Sequence, residues 1–393
     1  MIILLLNRET ERMKKDELQE FKEEIKEYDF LKEGRDDFFD GRVAPSDIVY
    51  GKHWDKSPLV TVIITTYKRP RLLKQALESA LGQENFTDYQ VLVVDNEAAP
   101  WEQETETSIL MQEYQNNDKV IYYRNKVAAD YKMDTAINYS RSKWVCFLHD
   151  DDFLVKNHLA VMVSIVESHH EISFLGCPAN EFYNEINDNE YNKLVQPVEG
   201  SFSVIRYPRQ YLCTGYHAGL LGALIDREKY IAIGGTPKIS TGIGDYITNG
   251  KFMEKWGAYY YETAQNLYYY RIWKGQDSAK GEAVWLKAYI AEYYWSKCLN
   301  KNFHFFTQKF WNRVAAYRII DKCIDKREGY YGIDINMNQM REYCEWDKDI
   351  FENNFKKKCC LKIESLYRIV CYYIAHHTSI RGVIDGRASS CID

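Results

Sequence analysis

The chain has 393 residues, 46% of them hydrophobic and 27% charged, which is the composition of a globular protein long enough for two or three domains. Its net charge of -6 argues against broad nucleic-acid binding, which requires a basic surface. The 10 cysteines show no C-x-x-C spacing, so we expect reduced thiols in a cytoplasmic protein rather than zinc ligands or a disulfide framework. No apolar run, including residues 1–6, is long enough to span a membrane.

Residues 9–37 are dense in lysine and glutamate, and apolar side chains recur among them at nearly helical spacing. This pattern predicts an amphipathic surface helix. Glycines and prolines then punctuate the chain as far as Pro58, which predicts a connecting region. We therefore expect an N-terminal helical extension over residues 1–56.

Strands and helices alternate from residue 57 onward. Runs rich in β-branched and other apolar residues predict buried strands at 59–65, 90–95, 120–123 and 144–148. Helical periodicity predicts helices between them at 70–81, 105–115 and 134–140. This alternation predicts a parallel sheet, in which ligands bind outside the carboxyl ends of the strands.

The later elements are less regular. A helix is predicted at 159–167, substrate-facing loops at 177–216, a strand at 220–225, a helix at 246–256 and a strand at 266–273. No strand pattern dominates beyond residue 281, where helices are predicted at 283–300, 310–325 and 355–380. We therefore expect a catalytic domain at 57–281 and a helical C-terminal region at 282–393.

Three adjacent carboxylates, Asp150, Asp151 and Asp152, follow the predicted strand 144–148 and His149. Crowded carboxylates repel each other unless a cation neutralises them. Hard divalent ions such as Mg²⁺ often combine one or two carboxylates with substrate phosphates. The cluster therefore predicts a metal–phosphate site at the edge of the sheet, although a solvated turn is the simpler alternative.

Five segments, taken in chain order, resemble those of family 2 glycosyltransferases and together cover roughly residues 58–280. They are VTVIITTYKRPRLLKQALESALGQ at 60–83, VLVVDN at 91–96, KWVCFLHDDD at 143–152, the glycine-rich segment with Gly244-Asp245-Tyr246 at 233–256, and YRIW at 270–273. The resemblance implies a GT-A fold, an α/β fold with a Rossmann-like, mostly parallel central sheet and flanking helices. It also implies sugar transfer from a nucleotide-diphosphate donor, usually with inversion and with Mg²⁺ or Mn²⁺.

The same resemblance assigns residues to the donor. Thr65 and Tyr67 would flank the base, with Tyr67 as a stacking face, and Asp95 would accept a hydrogen bond from a uracil N–H. Asp150 would approach the ribose or help to hold the metal, and Lys132 would bring positive charge to the diphosphate. Taken singly, these residues also suit core packing, a helix N-cap or an exposed surface.

Metal and catalytic roles follow in the same way. Asp151 best matches the principal metal-binding carboxylate of the family, and Asp152 would bind the metal or brace its neighbours. Asp245 matches the base that takes the proton from the acceptor hydroxyl, since inversion needs a base on the face opposite the leaving group. An N-cap is the alternative role for Asp245, because it opens a predicted helix.

Four positions depart from the family pattern. His149 stands where an aspartate is frequent, and Gly244 stands where an acid usually precedes the base. Lys132-Met133-Asp134 replaces a frequent Ala-Arg-Asn, and Trp273 replaces a frequent histidine. These changes affect the metal ligands and the donor geometry more than the reaction class.

We therefore expect an inverting, metal-dependent transferase that uses a nucleotide sugar, UDP-linked by preference, and a saccharide or lipid-linked acceptor. Synthesis of a bacterial surface polysaccharide, such as capsule or lipopolysaccharide, is the natural setting. The enzyme would be cytoplasmic. The basic amphipathic helix at 355–380 would either contact the inner face of the membrane or pack on the catalytic domain. The sequence leaves the donor sugar, the linkage and the oligomeric state open.

Two other functions compete with this interpretation. A nucleotidyltransferase would also bind nucleotides at such an edge, but it predicts a glycine-rich loop after the first strand, and residues 65–69 contain no glycine. A non-catalytic nucleotide- or sugar-binding module is suggested by the missing acid at Gly244. Binding of a donor without its turnover would favour that module.

Overall fold

The structure is a computed structural model, and it describes residues 16–100, 102–215, 219–239, 241–263, 266–276, 281–328, 332–384 and 389–392. It has a mixed α/β fold in which helices flank a large central sheet. The predicted α/β class and the helical C-terminal region are both confirmed.

Strands and helices follow one another through the described residues. The strands are β1 (Ser46–Tyr50), β2 (Val60–Thr66), β3 (Tyr89–Asp95), β4 (Val120–Asn125), β5 (Trp144–His149), β6 (Phe153–Leu154), β7 (Phe174–Gly176), β8 (Ala179–Tyr183), β9 (Gly200–Tyr207), β10 (Leu224–Asp226), β11 (Ala258–Thr263), β12 (Tyr268–Ile272), β13 (Ile380–Ile384) and β14 (Ser389–Ile392). The helices are α1 (16–27), α2 (Arg35–Phe39), α3 (Pro70–Leu81), α4 (Glu106–Gln112), α5 (Lys132–Tyr139), α6 (His158–Ser168), α7 (Asp188–Leu194), α8 (Arg227–Ala232), α9 (Gly244–Trp256), α10 (Glu282–Asn300), α11 (Phe305–Glu328), α12 (Met337–Tyr343), α13 (Lys348–Glu352) and α14 (Asn354–His377), with a 3₁₀ helix at Arg209–Thr214.

The large sheet has the strand order β1-β4-β3-β2-β5-β10-β7-β11-β9-β13-β14, and a small sheet has the order β6-β12-β8. Strand β2 pairs in parallel with both β3 and β5, and β3 pairs in parallel with β4. The carboxyl ends of β2, β3 and β5 therefore meet at one edge of the sheet. Beyond β5 the sheet is mixed, because β10 pairs antiparallel with β5 and with β7.

Packing on both faces explains the continuous apolar run of β2. Val62 and Ile64 lie in one core cluster with Leu73 of α3, whereas Ile63 lies in another with Ala136 of α5. Successive side chains of a strand point to opposite faces, so a strand covered by helices on both sides can be apolar at consecutive positions, as at Val62, Ile63 and Ile64.

The prediction that residues 177–216 are irregular loops was wrong. This segment contains β8, α7, β9 and the 3₁₀ helix. Strand β9 lies between β11 and β13, and it buries Phe202, Val204 and Ile205 among polar residues. Pairing on both sides stabilises this strand despite a weak local pattern, because β propensity depends strongly on tertiary context.

The N-terminal and C-terminal segments that the structure describes both pack onto the central structure. Phe21, Ile25 and Phe30 of the N-terminal extension share a core cluster with Leu286 and Ile290 of α10. The C-terminal helices are followed by β13, which joins the sheet beside β9, although no strand was predicted there. Among the described residues, no helix combines the length and the hydropathy that crossing a bilayer requires.

Candidate active site

A cleft with a volume of about 630 Å³ lies at the carboxyl ends of β2, β3 and β5. Its walls also include the start of α5 and the start of α9. Six of the eight predicted site residues line it, namely Thr65, Tyr67, Lys132, Asp150, Asp151 and Asp245. The chain thus brings residues from four separate segments to one concave surface, which is the form that ligand sites take.

Asp150 lies in the cleft wall with only 5% of its surface exposed. One of its carboxylate oxygens accepts a hydrogen bond from the Thr66 hydroxyl at 2.7 Å, and the other lies 3.4 Å from the Arg69 guanidinium. Burial and the neighbouring charge of Asp151 raise the pKa of Asp150, and Arg69 opposes this rise.

Asp151 is held from two sides. Its Oδ2 accepts a hydrogen bond from the Trp273 indole N–H at 2.9 Å and lies 3.5 Å from Arg69 Nη1. Its backbone carbonyl accepts a hydrogen bond of 2.6 Å from Arg271 Nε. Trp273, which replaces the frequent histidine of the family, therefore contacts the carboxylate that was predicted to bind the metal.

Arg69 was missed by the sequence reasoning, although it stands in the loop directly after β2. Its guanidinium lies within 3.5 Å of both Asp150 and Asp151 and 5.5 Å from the centroid of the Trp273 ring. It also donates a hydrogen bond of 2.8 Å to the Gly275 carbonyl. A positive charge at this point reduces the repulsion between the two carboxylates.

Asp152 does not line the cleft and has no exposed surface. Its Oδ1 accepts a 2.8 Å hydrogen bond from the backbone N–H of Arg271, and its Oδ2 accepts one from the Tyr268 hydroxyl. Burial raises the pKa of Asp152 to about 7. Both contacts belong to β12, so this carboxylate joins the small sheet to the end of β5.

His149, Asp151 and Asp152 form a group that fits a divalent cation. Each offers a ligand atom, and these atoms lie within 4.8 Å of one another. An imidazole nitrogen together with carboxylate oxygens suits Mn²⁺ and related ions, whereas Mg²⁺ favours oxygen donors alone. These residues would hold the ion, and oxygens of a substrate would complete its coordination.

The residues predicted to hold the nucleoside differ in exposure. Tyr67 is 48% exposed in the cleft, as a stacking face must be, and Thr65 lines the cleft beside it. Asp95 is fully buried, and its oxygens accept hydrogen bonds from Tyr122 at 2.8 Å and from the backbone N–H of Glu97 at 2.9 Å. Burial raises the pKa of Asp95 to about 6. A contact between Asp95 and a base therefore stays a prediction.

Asn96 follows Asp95 and lines the cleft, and the sequence reasoning did not identify it as a site residue. Its side-chain oxygen accepts hydrogen bonds from Asn125 at 2.8 Å and from the backbone N–H of Ala129 at 2.6 Å. Its amide donates to the Ala129 carbonyl at 3.2 Å. These contacts fix the loop before α5, at whose first residue Lys132 lies.

Asp245 is the second residue of α9 and is exposed in the cleft. The N-cap position of that helix belongs to Ile243, so Asp245 is not the capping residue. Its carboxylate is on a different element from the acidic cluster, which belongs to the end of β5. Its role as a base stays a prediction.

Residues 61–219 match the model of Glycosyl transferase family 2. This part of the chain belongs to that family. The family 2 region contains the acidic cluster and all predicted donor residues, and Asp245 lies beyond it.

Two curated relatives match part of the chain. An uncharacterised glycosyltransferase of Methanocaldococcus jannaschii is 29% identical over 122 residues, which are 30% of this chain and 40% of the relative. One of Haemophilus influenzae is 24% identical over 190 residues, which are 48% of this chain and 60% of the relative. The chain thus spans about half the length of these relatives.

Solved structures support the fold. The crystal structure of residues 1–349 of S. aureus TarS in complex with UDP-GlcNAc superposes with a TM-score of 0.50. The match covers 72% of this chain and 78% of the TarS chain at 12% sequence identity. At this identity the likeness concerns the fold alone.

The structure gives a steric reason for one departure from the family pattern. A Cβ atom at Gly244 would lie 2.6 Å from Cγ2 of Thr236, so a larger residue there requires Thr236 to move. Thr236 is tied down, because its backbone N–H and its hydroxyl both donate to buried Asp134. Glycine at position 244 thus allows the loop that carries Thr236 to pack closely against the start of α9.

Proposed function

We propose that the protein is an inverting glycosyltransferase that moves a sugar from a nucleotide-diphosphate donor, UDP-linked by preference, to a hydroxyl of a saccharide or lipid-linked saccharide. One observation carries this proposal. Six residues that the family resemblance assigns to donor, metal and base line a single cleft at the carboxyl edge of a parallel sheet. Ligands bind at that edge in open α/β sheets.

The donor would lie along the ends of β2 and β5. Tyr67 offers an exposed ring to the base, and Lys132 brings a positive charge to the wall where the diphosphate would lie. Asp151 would hold a divalent cation together with His149 and Asp152, whose ligand atoms lie within 4.8 Å of one another. When bound, Mg²⁺ or Mn²⁺ neutralises the charge that develops on the departing diphosphate.

Asp245 would act as the base on the acceptor. A carboxylate accepts the proton of the acceptor hydroxyl as that oxygen attacks the anomeric carbon, and general-base assistance typically contributes 10²–10⁴-fold in rate. Asp245 is exposed in the cleft, on α9, and is separated in the chain from the acidic cluster at β5. This arrangement allows the base and the leaving group to lie on different sides of the sugar.

The biological setting is part of the same proposal. A lipid-linked acceptor would place the enzyme in the cytoplasm at the inner face of a membrane, in the synthesis of a bacterial surface polysaccharide such as capsule or lipopolysaccharide. The resemblance to family 2 motivates this setting.

Calorimetric titration with UDP- and GDP-sugars, each with and without Mn²⁺ or Mg²⁺, tests the proposal. We expect D151N to abolish cation-dependent donor binding, and D245N to keep donor binding but lose transfer. D118N is the matched control, because Asp118 is exposed and precedes β4, at the opposite end of the parallel strands.

Four results would contradict the proposal or part of it. Failure to bind any nucleotide sugar would remove its basis. Donor binding without hydrolysis or transfer would favour a non-catalytic binding module, and release of pyrophosphate from a nucleoside triphosphate would favour a nucleotidyltransferase. Transfer by D245N at a rate near that of the wild type would exclude Asp245 as the base.

A further inference from the structure

Helix α14 directs its large apolar side chains outward. Six of them are between 49% and 64% exposed, namely Ile363, Leu366, Ile369, Val370, Tyr373 and Ile374. Their spacing of three and four residues places them on one side of the helix. We call this side the outer face of α14.

The buried side of α14 is the less hydrophobic one. Its buried residues, Cys360, Glu364, Cys371 and Ala375, are small or polar, and the large side chains of Leu361 and Tyr367 are only partly buried against the core. A helix whose only role is to pack on its own domain has the opposite distribution, with its large apolar residues buried. The outer face is therefore suited to contact a membrane or another molecule that shields these side chains from water.

The charge of α14 indicates which environment this is. The helix carries Lys356, Lys357, Lys358, Lys362 and Arg368 against Glu364, in a chain whose net charge is -6. Lys358 and Lys362 are exposed and stand one turn apart, directly before the outer face. An apolar stripe beside exposed lysines is the pattern of a helix that lies in the interface of an anionic membrane.

A neighbouring helix carries two more exposed apolar side chains. Helix α11 runs antiparallel to α14, since the Trp311 ring contacts the Tyr367 ring at 5.1 Å and Asp321 pairs with Lys357. The start of α11 is thereby brought towards the C-terminal end of α14. Phe305 there is 56% exposed and its neighbour Phe306 is 74% exposed.

We propose that the outer face of α14 binds the surface of an anionic lipid bilayer, with the helix parallel to the membrane plane. This inference rests on the membrane-peripheral location in the proposed function and names the surface that makes the contact. A second copy of the chain is a poorer occupant. A two-fold symmetric contact would bring the same lysine-bearing face against itself, and like charges oppose such an association.

Co-sedimentation of the full chain with vesicles at low ionic strength tests the proposal. We expect binding to vesicles of phosphatidylglycerol and phosphatidylcholine in equal parts, weak binding to pure phosphatidylcholine, and release by added salt. The double variant L366S/I369S should lower the partition coefficient about tenfold or more, because it removes apolar contacts with the interface. K358E/K362E should lower it about thirtyfold or more.

Matched controls carry the same changes elsewhere. I109S alters an apolar side chain that is 53% exposed on α4, and K32E/K52E reverses two exposed lysines of the N-terminal region. Both should bind vesicles like the wild type. The tested side chains are all exposed, so the variants should remain folded.

Three outcomes would overturn the inference. The first is no binding to the phosphatidylglycerol vesicles, and the second is equal binding by the wild type and by both α14 variants. The third is a wild-type dimer that L366S/I369S dissociates without any effect on lipid binding. Donor calorimetry on the same samples separates this inference from the proposed function. Loss of vesicle binding with intact donor binding would refute this inference alone. Loss of donor binding with intact vesicle binding would refute the proposed transferase function but not the membrane contact of α14.

Discussion

Replacing Glu33 with glutamine should destabilise the fold far more than a surface substitution. Glu33 belongs to a buried charge cluster with Arg42, Lys251 and Asp134. Its carboxylate accepts a 2.7 Å hydrogen bond from Arg42, a hydrogen bond from the Lys251 ammonium, and one of 2.9 Å from the backbone N–H of Lys238. Burial opposes ionisation of Glu33, but the Lys251 ammonium beside it holds the pKa of Glu33 below its usual value.

The magnitude follows from the charges and their burial. The side chains of Arg42, Lys251 and Asp134 are no more than 2% exposed, and that of Glu33 is 6% exposed. Two carboxylates balance two cations, so E33Q leaves one buried positive charge without a counterion. Removing one partner of a buried pair costs about 3–5 kcal/mol, and we expect a loss of unfolding free energy in this range.

Urea denaturation followed by circular dichroism measures this loss. The control is E20Q, since Glu20 is exposed on α1, and we expect it to change the unfolding free energy by less than about 0.5 kcal/mol. If E33Q lost less than about 1 kcal/mol, the cluster would not be a charge-balanced buried network. Since Asp134 of this cluster holds Thr236 in the cleft wall, E33Q should also weaken donor or acceptor binding.

Three further predictions concern the cleft. The pKa of Asp95 is raised to about 6 in the fold, so Asp95 should contribute a loss of stability of up to about 3 kcal/mol as the pH rises from 4 through 6. Asp134 and Asp152 contribute slopes of the same sign, because burial raises their pKa values as well. D95N should therefore reduce, but not abolish, the slope of unfolding free energy against pH, and an unchanged slope would contradict the assignment. G244E should lower the free energy of unfolding by about 1–3 kcal/mol, because the Cβ atom of the new residue would collide with Thr236. Urea denaturation measures this loss, and a variant as stable as the wild type would refute the steric argument. R69Q should raise the affinity for Mn²⁺ about tenfold, because the Arg69 guanidinium would compete with a cation for Asp151. Calorimetry measures this affinity, and unchanged or weaker Mn²⁺ binding would contradict the competition.

The elements with strong local signals were predictable. Strands β2, β3 and β5 each contain an uninterrupted apolar run and end in a polar residue, and α3 follows β2 with a clear helical period. Parallel βα units bring such strand ends to one edge, so the position of the cleft follows from the order of these elements. The acidic cluster and Tyr67 were therefore found from sequence.

Strands β9 and β13 were not predictable in this way. Each is stabilised by partners far away in the chain, and β13 pairs with β9 some 180 residues earlier, at Ile380 and Val204 among others. Hydrogen bonds to these distant partners satisfy the polar backbone groups of β9 and β13. The local sequence pattern therefore does not indicate that these segments are strands.

Within the site, the residue types were evident from the sequence, but their surroundings were not. The sequence alone indicated three adjacent carboxylates, a family of folds and a basic amphipathic C-terminal helix. Only the tertiary structure decided that Arg69 stands between Asp150 and Asp151, that Asp152 is turned towards β12, and that the apolar side of α14 faces outward. Burial and charge pairing depend on segments that meet through folding, whereas periodicity and strand-end composition are local properties of the chain.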